Sequence, residues 1–175
     1  RKITKLLGGE IKLSSQMGKG TVFTVLFTFP KTQLPSQATI RETSPLRTMS
    51  LRGKRILVVD DEELNRILLQ TIFEKWDAKP VLASSGAQAL EHLKNSNFDI
   101  VITDIQMPLM SGYDLTQQIR NHDNPSVSAL PVLALTANIL KQEAHKMKDC
   151  GMDDYLLKPF DEKSLVEKTI SLLNP

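Results

Sequence analysis

Cysteine is nearly missing: Cys150 stands alone in 175 residues, so no intramolecular disulfide framework can staple the chain. Histidine is scarce too, and His92, His122 and His145 form no zinc-ligand spacing with that thiol. A reducing, cytoplasmic setting is the expectation. No stretch reaches the roughly 18 to 20 uninterrupted apolar residues that a bilayer span requires, and the N-terminus lacks the basic-then-apolar layout of a secretory leader. A soluble chain that makes no membrane contact of its own is expected, which leaves a membrane-anchored parent open. The net charge is only +2, but it is unevenly spread. Residues 1–52 carry nine Lys/Arg against two Asp/Glu, and the remainder carries 13 against 18. The Lys and Arg of the basic segment are spaced singly, without aromatics interleaved at base-stacking positions, so nucleic acid is not the expected partner.

What the chain does have is an alternation of short apolar runs with amphipathic stretches from Gly53 onward. That pattern predicts βα repeats and a parallel sheet covered by helices on both faces. The runs are Ile56–Val59, Val81–Ala83, Ile100–Thr103, Val132–Leu135 and Tyr155–Leu157. Between and after them, helices are predicted over Glu62–Trp76, Gly86–Lys94, Tyr113–Arg120, Ile139–Lys148 and Glu162–Leu173. In the first, Leu64, Ile67, Leu68 and Ile72 share a face; in the second, Ala87, Leu90 and Leu93 do. Five strands and five helices in about 120 residues fit one doubly wound, flavodoxin-like α/β domain.

The N-terminal part reads differently. Residues 31–52 are rich in Thr, Ser, Gln and Pro, bury too little apolar surface to offset their ordering entropy, and read as a linker. Before them, Ile11 and Leu13 in one strand, a turn at Gly18–Gly20 and a second strand from Val22 to Phe29 predict a β-hairpin. A lone hairpin is marginal in water, so this piece requires a partner it has lost or a docking place on the main domain.

In an open parallel sheet, ligands bind at the carboxyl ends of the strands. There the first strand ends in Asp60 and Asp61, the third in Asp104, the fourth in Thr136, and the fifth run leads into Lys158 and Pro159. Clustered carboxylates repel one another unless a cation intervenes, so the cluster predicts a metal. All-oxygen ligation with room for water and a phosphate suits Mg²⁺. A carboxylate beside such an ion can attack phosphorus and become an acyl phosphate, while Lys158 and Thr136 supply a point charge and a hydroxyl for the phosphoryl oxygens.

The segments RILVVDD (55–61), DIVITDIQMPLMSGYDL (99–115), PVLALTAN (131–138) and GMDDYLLKPF (151–160) resemble the motifs of response-regulator receiver domains, over Gly53 to about Leu173. The resemblance implies that Asp104 is the phosphoacceptor. It implies that Asp61, Asp104 and the backbone carbonyl of Gln106 ligate Mg²⁺, with Asp60 acting through water. It also implies that Thr136 and Tyr155 change position together on phosphorylation, and that the Lys158–Pro159 peptide is cis. Gly112 reads as the residue allowing a tight turn after Pro108, and Gly151 as a left-handed helix end. Gln106 and Asn138 are expected to tune the lifetime of the aspartyl phosphate.

KLLGGEIKLSSQMGKGTVFTVLFTFP (5–30) is similar to the closing helix turn and hairpin of a histidine-kinase ATP-binding domain. Taken together, the resemblances imply the receiver end of a hybrid sensor histidine kinase. Residues 1–30 would be the remnant of the ATP-binding domain, 31–52 the linker and 53–175 the receiver. Such a chain would catalyse only its own aspartyl phosphorylation and dephosphorylation. The ATP-contacting segments of that family would precede Arg1, so no ATP binding is expected. Gly18-Lys19-Gly20-Thr21 lacks the glycine spacing of a phosphate loop and reads as a turn. All three histidines read as surface residues, so the phosphoryl donor must be a phosphohistidine-bearing kinase domain or histidine phosphotransfer protein. Cys150 reads as inert.

Two alternatives stay open. A phosphatase of the haloacid dehalogenase type would require a second Asp where Gln106 stands. A nucleotide- or flavin-binding module would require glycine where Asp60-Asp61-Glu62-Glu63 makes the first turn acidic. A DNA-binding output is not expected, because the chain ends at Pro175 directly after the last predicted helix.

Overall fold

The computed structural model describes residues 10–18, 20–26, 51–137 and 141–174, without the side chains of 141–144. The helix turn before the hairpin, residues 27–29 of its expected second strand, nearly all of the linker, and Asn138 lie outside the described residues. The chain divides into two compact units, residues 1–43 and 44–175.

In the first unit, β1 (Glu10–Gln16) pairs antiparallel with β2 (Gly20–Leu26). The register sets Ile11 against Val25 and Leu13 against Phe23, so four apolar side chains share one face of the ribbon. Gly18 and Gly20 both have positive φ, which is why glycine occupies the turn.

The second unit contains β3 (Arg55–Val59), α1 (Glu63–Lys75), β4 (Lys79–Ala83), α2 (Gly86–Asn95), β5 (Ile100–Asp104), α3 (Gly112–Arg120), α4 (Pro125–Ser128), β6 (Val132–Thr136), α5 (Lys141–Asp149), β7 (Asp154–Leu157) and α6 (Glu162–Leu173). The strands lie in the order β4-β3-β5-β6-β7, all parallel. Because side chains alternate across a strand, each run feeds two cores. Ile56, Val58, Ile100, Ile102, Leu133 and Leu135 pack with Leu69 and Phe73 of α1 and with Leu165, Val166 and Ile170 of α6. Leu57, Val59, Val101, Val132 and Ala134 pack with Ala89 and Leu93 of α2, Leu115 and Ile119 of α3, and Met147 of α5. Burial on both faces explains why these strands read as continuous apolar runs. Leu51, in the stretch expected to be linker, is itself fully buried in the first of these cores.

The helix starts are written locally. Ser85 caps α2, Asp161 caps α6, and Ser111 with Asp114 forms a reciprocal capping box on α3. The Lys158–Pro159 peptide is cis, and Gly151 has a positive φ, both as expected.

Four readings need correction. In α1, Leu64 is 78% exposed and Ile67 and Leu68 about half exposed, while Leu69, Ile72 and Phe73 turn inward. Two apolar stripes fit the helical period, and the bulk of Phe73 goes to the core. Gly112 does not owe its place to a turn: a Cβ there would lie 2.4 Å from the Asp104 carbonyl oxygen. The short α4 adds a helix to the five expected, and Asn124 capping with Pro125 at the first position announces it. Finally, His92 is only half exposed and its Nε2 is enclosed, and His122 accepts the Asn124 amide at Nδ1.

Candidate functional site

The topology carries five polar residues to one edge. Asp60 and Asp61 follow β3, Asp104 ends β5, Thr136 ends β6, and Lys158 follows β7. Since β3, β5, β6 and β7 are adjacent and parallel, these positions converge without any long loop.

Carboxylate oxygens of Asp60, Asp61 and Asp104 lie within 4.8 Å of one another. The Lys158 ammonium donates to Asp60 Oδ2 and to Asp104 Oδ2, at 3.0 Å each. Burial alone would lower the pKa of Lys158, but the hydrogen bonds it donates to Asp104 and Asp60, with their charges, outweigh it, and the ammonium is held above its ordinary value. Lys158 is therefore a fixed positive charge across the neutral range.

The three carboxylates are not equivalent. Asp60 is fully buried, and its oxygens are committed to protein donors: Oδ1 accepts from Glu62 N at 2.9 Å, and both oxygens accept from Asn65 Nδ2 at 3.1 Å. Asp104 Oδ1 meets only a long contact from Gln106 N at 3.4 Å. Asp61 is half-buried, and Asp104 is reachable at the edge of the sheet. The loop itself is braced from α1. Arg66 donates to the backbone carbonyls of Asp60 and Asp61, at 2.7 and 2.8 Å. On the other side, Thr103 donates to the Asp104 carbonyl, against which Gly112 packs.

Asp60, Asp61, Asp104 and Lys158 are thus brought together as the sequence predicts. Thr136 is buried at the neighbouring strand end, in register with Leu157. Gln106 is exposed in the loop after Asp104. Tyr155 sits apart from the cluster, opposite Ala134, exposed and with the Lys168 ammonium 5.8 Å from its ring centroid. Asn65 and Arg66 are the contributors that sequence reasoning missed. Their only signal is a pair of polar residues in the first turn of α1, separated from the acidic pair by three residues.

The donor set is all oxygen, with one carboxylate closed off by hydrogen bonds and two with free lone pairs. It fits a hard divalent cation that keeps several waters. A cavity of about 400 Å³ opens beside the cluster, lined by Asp60, Asn65, Leu68, Lys158 and Phe160 among others. Among the described residues, no helix is long and apolar enough to cross a membrane.

Comparison with known proteins agrees with this geometry. Residues 56–170 match the model of the response regulator receiver domain family. The aerobic respiration control sensor protein ArcB of Escherichia coli K12 is 34% identical over 165 residues, covering 94% of this chain and 20% of that protein. The sensor histidine kinase GacS of Pseudomonas protegens is 38% identical over 126 residues, covering 71% of this chain and 14% of that protein. The chain therefore spans about a fifth or less of the length of these curated relatives. Among solved structures, the receiver domain of a Pseudomonas aeruginosa sensor histidine kinase superimposes with a TM-score of 0.64 at 28% identity, covering 70% of this chain and 99% of that one. That crystal structure holds a magnesium ion coordinated in its active site cleft.

Proposed function

The chain belongs to the response regulator receiver domain family, and from that premise we propose that Asp104 accepts a phosphoryl group from a phosphohistidine, with Mg²⁺ bound, as one step of a two-component phosphorelay. The observation that carries this reading is the Lys158 ammonium shared between Asp60 and Asp104 at 3.0 Å each, beside three carboxylates within 4.8 Å.

In an in-line transfer, an Asp104 oxygen attacks phosphorus, the P–O bond forms as the P–N bond breaks, and the bonding pair leaves with the imidazole nitrogen. Lys158 offers a fixed charge to the phosphoryl oxygens as negative charge grows on them. Thr136 offers a hydroxyl from the next strand end. Asp61, Asp104 and the Gln106 carbonyl would hold Mg²⁺, and Asp60 would act through water. When bound, that ion supplies the charge neutralisation that lets three carboxylates and a phosphoryl group share one site. The added group is proposed to draw Thr136 toward it and let the exposed Tyr155 ring turn inward, shifting the face formed by α5, β7 and α6 between two populations. Gln106 and Asn138 are proposed to tune the hydrolysis of the acyl phosphate.

The parent is read as a hybrid sensor histidine kinase acting in the cytoplasm. Residues 1–30 are then the end of its ATP-binding domain, 31–52 its linker and 53–175 its receiver. Alignment of ArcB with 94% of the chain, hairpin included, supports this. The partner is a phosphohistidine-bearing kinase domain or phosphotransfer protein, not a nucleic acid. Exposed Leu64, Ile67 and Leu68 on α1, with Leu68 lining the cavity that Asp60 and Lys158 also line, offer such a partner an apolar footing.

The test is transfer from a purified histidine phosphotransfer domain carrying labelled phosphate. The label is expected to move to the wild-type chain, and to stay behind with Asp104→Asn or with Mg²⁺ chelated. Equal labelling of Asp104→Asn would overturn the assignment.

A further inference from the structure

Asn65 is an uncharged side chain of α1 that reaches the acidic cluster from outside it. Its amide nitrogen lies 3.1 Å from both oxygens of Asp60, a carboxylate with no exposed surface. A carboxylate has about four lone-pair sites. Here Glu62 N, Lys158 Nζ and the Asn65 amide nitrogen, shared between the two oxygens, take up most of that capacity and leave room for a water. We infer that Asn65 is a positioning residue that keeps Asp60 from ligating the cation directly, so that Asp60 holds Lys158 within reach of Asp104. The inference rests on the phosphoacceptor reading above and extends it to a residue that touches neither the phosphoryl group nor the ion.

The physical reason is the cost of an unsatisfied buried acceptor. With the amide removed, both oxygens of Asp60 lose the protein donor they share. The nearest positive partners are Lys158 and the cation that Asp61 and Asp104 would hold. Direct ligation by a third carboxylate tightens Mg²⁺ binding. The same movement turns Oδ2 away from Lys158 and removes the ammonium from its shared position between Asp60 and Asp104. The cation site improves while the phosphoryl-transfer site worsens.

These opposite signs separate positioning from simple structural support, which would weaken both. Mg²⁺ binding is measured by titration calorimetry, and phosphorylation with acetyl phosphate at saturating Mg²⁺, on wild type, Asn65→Ala and Asn65→Leu. The leucine variant keeps the side-chain volume, and melting curves without Mg²⁺ confirm that each variant is folded. The expected result is a Mg²⁺ dissociation constant lower by about fivefold, as an orphaned acceptor regaining a partner implies. The phosphorylation rate is expected to fall by about tenfold or more, in line with the cost of small misplacements. Affinity and rate falling together, or both staying at wild-type values, would overturn the inference. Wild type that neither binds Mg²⁺ nor takes phosphate would overturn the phosphoacceptor reading, and this inference with it.

Discussion

Gly112→Ala puts the smallest possible side chain where the fold has no room. The new Cβ would sit 2.4 Å from the Asp104 carbonyl oxygen and 3.0 Å from Ile105 Cα, and both neighbours are backbone rather than flexible side chain. An ordinary contact needs roughly 3.4 Å or more, so β5 and α3 must separate by about 1 Å. The hydrogen bond from Gly112 N to Ile105 O, 2.9 Å long, would stretch with them. Overpacking of this kind costs about 1–3 kcal/mol. Alanine's better helix propensity returns about 1 kcal/mol at most. A net loss of about 1–2 kcal/mol lowers Tm by roughly 3–10 °C in a domain of this size. Because the displaced atom belongs to Asp104 itself, phosphorylation should suffer more than stability, by as much as about 100-fold. Melting curves and acetyl phosphate kinetics read the two effects separately. A variant with unchanged Tm and unchanged rate would refute the close-approach argument.

Arg120 donates to the carbonyls of Ser128, Leu130 and Gly151 and to the Asp153 carboxylate, which also accepts Val132 N. Arg120→Met orphans three carbonyls at once and should cost about 3 kcal/mol in urea unfolding, with Arg120→Lys recovering little; a loss under about 1 kcal/mol would contradict the bracing role. Glu162 has a lowered pKa because it accepts hydrogen bonds from Lys75 and then from the Trp76 indole. Its contribution is therefore present above the ordinary glutamate range and fades as pH falls through the depressed value. Solvent screens this half-exposed pair, so the slope is small, and Glu162→Gln should flatten it in acid unfolding curves. Burial pushes the Cys150 thiol above its ordinary pKa, with the backbone hydrogen bonds and nearby cations too weak to reverse it. A thiol reagent at neutral pH should leave Cys150 unmodified in the native state and react once urea unfolds the chain; rapid native labelling would contradict its burial.

The strands were the most legible part of this chain. Ile56–Val59 and Ile100–Thr103 are apolar at consecutive positions because both faces of the sheet are covered, and that pattern has few rivals. The cluster was legible for a related reason: a parallel sheet sends the carboxyl ends of its strands to one edge, so sequence position alone brings Asp60, Asp104, Thr136 and Lys158 to that edge. Helix orientation was harder. Leu64, Ile67 and Leu68 satisfy the same period as Leu69, Ile72 and Phe73, and only packing against Val58 and Ile102 decides between the two stripes. Asn65 and Arg66 were not readable as site residues, since the atoms they hold belong to the turn after another element. Gly112 was visible as a special position, but its reason lay in a carbonyl eight residues earlier, brought close only by the fold.

The most direct test of the central claim is the intact mass of the chain after incubation with acetyl phosphate, with and without Mg²⁺, for wild type and Asp104→Asn. The account predicts the gain of a single phosphoryl group in wild type, dependent on Mg²⁺ and lost in Asp104→Asn. A gain that persists in Asp104→Asn, or that ignores Mg²⁺ removal, would contradict it.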